Sequence, residues 1–162
     1  MAYVHVIDAL IAVLKTNLPQ GLIKSYYEGD PVLIGKSSLP AIAIAKTKGK
    51  VGVSATGTDD INDVIEIKII FDKADDYGAS DSVDMTERKL RLIVEDRDPV
   101  TGYFKSSSIM GILRTNYTLG GVTLQQDADV MYFIESRPEN QYTSEAHITF
   151  STRERVYVPN RI

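Results

Sequence analysis

The chain has 162 residues, 43% of them hydrophobic and 25% charged, a size and balance that fit one globular domain able to bury a core without disulfide or structural metal. It contains no cysteine, which excludes disulfides and thiolate chemistry, and its net charge of −4 argues against a general nucleic-acid coat, which needs a basic face. No apolar run is long enough for a membrane helix, and no basic-then-apolar leader is visible.

A first helix is expected from Tyr3 to Asn17, because Val4, Ile7, Ile11 and Leu14 recur at the 3, 4, 3 spacing of one buried stripe. Leu18-Pro19 and Gly21 end it. Leu22–Tyr27 reads as a strand, Gly29-Asp30-Pro31 as a turn, and Val32–Ile34 and Ala41–Ala45 as further strands. Lys46 to Asp60 carries three lysines and three glycines with no helical period, which predicts a long hairpin tip or a mobile loop.

Val64–Phe71 alternates, with Ile65, Ile67, Ile69 and Phe71 on one side and Glu66 and Lys68 on the other, as a half-buried strand does. After a polar connection, Asp72 to Ser80, a second helix is expected from Ser82 to Glu95. Asp81 caps it, and Met85, Leu92 and Ile93, then Leu90 and Val94, lie on adjoining faces. Asp98-Pro99 closes it, and Ser106–Arg114 reads as a short helical turn.

Leu119–Leu124, Val130–Ile134 and Tyr142–Phe150 complete the strands, and the tail bearing Arg153, Arg155 and Arg161 either extends the last one or docks on a neighbour. This order predicts an α+β fold, two main helices packed on a mainly antiparallel β-sheet, in a single domain over residues 1–162.

The motifs that could carry chemistry fail on spacing. Gly35-Lys36-Ser37 imitates the end of a phosphate-binding loop, but Gly29 stands one residue too far upstream and Pro40 blocks the helix that would face the anion. The acids from Asp72 to Asp84 do not fit a calcium loop, because Ala74, Tyr77 and Val83 occupy ligand and glycine positions. His5 with Asp8 gives two potential ligands where a metal site needs more, and no G-x-S-x-G turn presents a serine to His147, which is expected in solvent. No catalytic residue, metal or cofactor is expected.

Two features suit contact with other proteins instead. Nine tyrosines spread over strands and loops offer rings that are apolar with a wet tip. The stretch Asp59 to Asp84 holds nine acids against Lys68 and Lys73, forming either a docking face or a solvated belt.

The order of these elements resembles the tail terminator, or tail completion, proteins of long-tailed bacteriophages, and more broadly their head-tail joining proteins. The resemblance rests on the N-terminal amphipathic helix, the Gly29-Asp30-Pro31 turn and the polar Lys46–Asp60 hairpin. The strand Ile65–Phe71, the helix opening after Asp76-Tyr77-Gly78-Ala79 and the closing strands complete it. It implies a non-enzymatic virion protein that forms a ring with copies of itself, a hexamer in that family. The ring would cap the tail tube protein, stop tail polymerisation, present a surface to the head connector and leave a channel for DNA. Lys46, Lys48, Lys50, Asp59, Asp60, Asp75 and Asp76 are then the candidate interface residues. A small cytoplasmic binding module or regulator is the alternative, and a hydrolase with a dispersed site a third reading.

Overall fold

The computed structural model describes residues 3–73, 85–119 and 121–159. Its first helix, α1 (Val6–Asn17), starts three residues later than the apolar stripe suggests, with His5 as its N-cap, accepting a hydrogen bond from the Ile7 amide. The buried stripe is Val6, Ile7, Leu10 and Leu14, whereas Val4 is exposed and Ile11 only flanks the core. Leu18 is extended because the proline after it crowds the helical conformation.

The strands that follow in the chain are β1 (Ser25–Glu28), β2 (Ala41–Ala55) and β3 (Thr58–Asp72). Two helices come next, α2 (Met85–Glu95) and α3 (Ile109–Thr115), and then β4 (Thr118–Leu119), β5 (Val122–Arg137) and β6 (Gln141–Tyr157). The six strands form one sheet in the order β1-β2-β3-β6-β5-β4, antiparallel except for the parallel pair β1–β2. Val32–Ile34 is not a strand; it belongs to a loop that continues into a 3-10 turn at Lys36–Ser38.

The expected architecture of two main helices on a sheet is therefore corrected. The protein is mostly β, about half strand, with a curled half-barrel sheet and, among the described residues, three short helices. The residue pattern understates strand content at Lys46–Ala55, where side chains face solvent on both sides and the alternation that marks a half-buried strand disappears, and in β6 beyond Phe150, where Thr152 is the one buried side chain and it is polar. Backbone pairing alone makes these segments strands: β2 pairs with β3 out to Ala55–Thr58, and β3 pairs with β6 out to Thr58–Tyr157.

The weight of the helices differs too. α3 is short but central, with Ile109 to Leu113 all buried and Ser108 capping the Gly111 amide. In α2 the buried residues are Leu90, Ile93 and Val94, and Leu92 faces out. Asp81 and the expected start of that helix lie outside the described residues.

All three helices cover one face of the sheet. Leu10, Leu14, Leu90, Val94, Ile109 and Ile112 pack there against Ile42, Ile44, Ile65, Ile67, Ile69, Ile148 and Phe150. A smaller apolar cluster, Ile34, Leu39, Ala41, Ala43 and Ile70, lies on the opposite side of the strands and is joined by Tyr27. At that end of the sheet both faces are covered, so Ile69 to Asp72 and Thr143 to Ala146 are buried without alternation. No helix among the described residues is long and apolar enough to cross a membrane.

Candidate functional site

Beyond the helices, β2, β3 and β6 continue as a three-stranded arm. Its tip is closed at Gly57, whose φ of +81° is a conformation that side-chain-bearing residues rarely adopt. Partners across a ladder share a face, so the register sorts the arm's side chains. Val51, Ile61 and Glu154 align on the helix-bearing face, followed by Val53, Asp59 and Val156. Val51 and Val53 are 67% and 78% exposed, large values for residues whose transfer from water would be favourable.

The other face of the arm is basic. Lys48, Lys50, Arg153 and Arg155 lie there around Asp60. Arg153 and Arg155 each reach an Asp60 oxygen at 3.0 Å, and Arg155 also donates to Ser54. These hydrogen bonds outweigh desolvation and hold the Asp60 carboxyl down at about 2. Lys46 falls on the helix-bearing side of a bulge and pairs with Asp63 at 3.1 Å.

A second cluster sits at the opposite end of the sheet, on the face without helices. Glu145 is fully buried there and takes the Arg137 guanidinium at 2.9 and 3.0 Å on its two oxygens, a fork-on-fork pair. His147 Nε2 lies 3.0 Å from the same carboxylate and the Thr143 hydroxyl donates to it. Burial alone would raise the Glu145 pKa, but hydrogen bonds from His147, Arg137 and Thr143 overcome it and bring the carboxyl down to about 2. Arg137 also donates to the Pro31 carbonyl at 3.0 Å, tying the Asp30–Leu39 segment to the sheet. Lys68 bonds Asp30 and lies 3.6 Å from Glu66.

A cleft of about 240 Å³ opens beside these groups. Its carboxylate at Glu145 is saturated with donors and ionised, which makes it a clamp rather than a proton-transfer group.

The candidate residues named from sequence do not form one surface. Lys46 is on one face of the arm and Lys48 and Lys50 on the other, because a bulge between Lys46 and Lys48 shifts the register. Asp59 and Asp60 sit near the tip on opposite faces, and Asp75 and Asp76 lie outside the described residues. The acidic belt is not a field of one sign: Asp60, Asp63, Glu66 and Asp72 each lie beside a basic group, Asp72 facing Lys36 at 3.9 Å. That salt bridge also uses the lysine of the phosphate-loop imitation.

His147, expected in solvent, is instead largely buried against Glu145, with the Phe133 ring edge-on at 4.4 Å. His5 is spent as a helix cap. Among the described residues no group of three or more His, Asp or Glu is placed to hold a metal.

Sequence reading misses Arg137, Glu145 and the exposed valines of the arm. The only signal for the first two is a pair of opposite charges either side of the Pro138-Glu139-Asn140 turn, eight residues apart. Compared with known proteins, the chain matches no family model and no curated sequence.

Proposed function

We propose that the chain is a non-catalytic assembly protein, a ring-forming subunit that caps the tube of a phage tail, ends its polymerisation and offers the joining surface to the head. The observation that carries this reading is the projecting arm. Three strands extend past the core with Val51 and Val53 in water and a basic opposite face. A monomer gains nothing from holding such valines out, whereas a subunit that buries them against a neighbour gains about 25 cal/mol for each Å² removed from water.

The polar groups that would suggest catalysis are consumed by structure, Glu145 by three donors and His5 by capping. A closed ring needs two different patches on each subunit, and the open tube end supplies further contacts by mass action.

The test is deletion of the gene in its phage, followed by electron microscopy of the lysate. Overlong or headless tails beside filled heads support termination and joining. Virions with tails of normal length overturn it and leave the small-binding-module reading in its place.

A further inference from the structure

Among the described residues, two stretches of strand have no strand beside them on one side. β1 covers β2 only from Ala41 to Ile44, so the outer edge of β2 from Lys46 to Ala55 meets no strand among the described residues. β4 covers β5 only at Val122 and Thr123, so β5 from Gln125 to Arg137 has an open edge of the same kind. Each is a row of backbone donors and acceptors ready to pair with another strand.

Charge selects which edges meet. Lys46–Ala55 contains Lys46, Lys48 and Lys50 and no acid, while Gln125–Glu135 contains Asp127, Asp129 and Glu135 and no base. Asp127, Asp129 and Glu135 are exposed, as are all three lysines. Pairing β2 with β2, or β5 with β5, sets like charges against each other, which cross-strand neighbours disfavour. Pairing β2 with β5 sets lysines against carboxylates.

Direction agrees. Three successive antiparallel pairings, β2–β3, β3–β6 and β6–β5, leave β2 and β5 running oppositely. A copy turned about an axis along the strands therefore presents its β2 antiparallel to the first copy's β5. The open part of β2 lies on the arm, whereas Ala128 is level with Lys46 through Phe150 and Ile65, and β5 runs from there to the other end. Joining the edges thus staggers successive copies along the strand, which a ring accommodates when its strands tilt against the axis, as in closed barrels.

We propose that copies of this chain join edge to edge, Lys46–Ala55 of one against Gln125–Glu135 of the next, so that the sheet continues from subunit to subunit. This rests on the ring reading and assigns its interface. Because the chain has no cysteine, thiol crosslinking tests it cleanly. Antiparallel alignment of the two segments sets Val53 level with Ala128 of the next copy, and the register puts both on the helix-bearing face.

The double variant V53C/A128C, treated with a short bis-maleimide, should give a ladder of oligomers. The two single variants mixed should give only dimers, and neither alone should crosslink. Reversing Lys48 and Lys50 to Glu should lower the yield about tenfold without changing the melting temperature, and adding Asp127→Lys with Asp129→Lys should restore it. No ladder at millimolar protein, self-crosslinking of V53C alone, or a yield indifferent to the charge reversals overturns the proposal. Capped tubes without a ladder would remove the edge pairing and keep tube capping; a ladder from protein that leaves tubes open would do the reverse.

Discussion

Replacing Arg137 by Met should cost about 3 kcal/mol, because it strips the fork from a carboxylate that has no access to water. The titration describes the cluster as a whole, in which His147, Arg137 and Thr143 together overcome burial. Glu145 is held at about 2 in the folded chain against an ordinary 4.5, and at about 1.4 kcal/mol per pH unit that is about 3 kcal/mol in favour of the ionised native state.

The sign follows from proton uptake. Between 4.5 and 2 the unfolded chain binds a proton that the folded chain refuses, so the contribution is complete above about pH 5 and drains away as pH falls. Urea unfolding followed by circular dichroism at pH 7 and at pH 3 measures both effects. Arg137→Met should lose most of its stability deficit when combined with Glu145→Leu. A residue of about 1 kcal/mol should remain for the Thr143 hydroxyl and His147, which lose their acceptor. The single variant should also show a shallower acid slope. An Arg137→Met cost below about 1 kcal/mol, or a double variant as unstable as the single, would refute the reasoning that this pair is buried and mutually dependent.

Gly111→Ala should lower stability by about 1–3 kcal/mol in thermal unfolding, because a Cβ there would sit 2.0 Å from the Lys105 carbonyl oxygen; an unchanged midpoint would mean α3 does not pack this closely. In an NMR titration the Asp60 carboxyl should respond near pH 2, and Arg155→Ala should move that response up toward 3.8; an ordinary value in the unmodified chain would show that the two arginines do not close on it.

Local pattern and tertiary context contribute separably. The 3.6 and 2 periods place α1, α2, the core half of β3 and the start of β6 within a few residues, because burial of one face writes itself into the order of apolar side chains. The alternation of Ile65, Ile67, Ile69 and Phe71 by itself marks the side of β3 that is buried, and that side is the one the helices cover. Where neither face is buried, as along Lys46–Ala55 and Arg153–Tyr157, nothing in the residue order distinguishes strand from loop. Only the neighbouring strands, supplying backbone partners at long range, decide it.

Where both faces are buried the signal fails the other way. Glu145 and His147 alternate like solvated residues, yet the Asp30–Leu39 segment folds over them and turns their charges into an internal clamp. The partner of each charge is likewise beyond local reading, since Asp60 meets Arg155 across ninety-five positions of chain. Composition sets what a segment can bury, but which donors meet which acceptors depends on contacts distant in sequence, and those exist only once the sheet has formed.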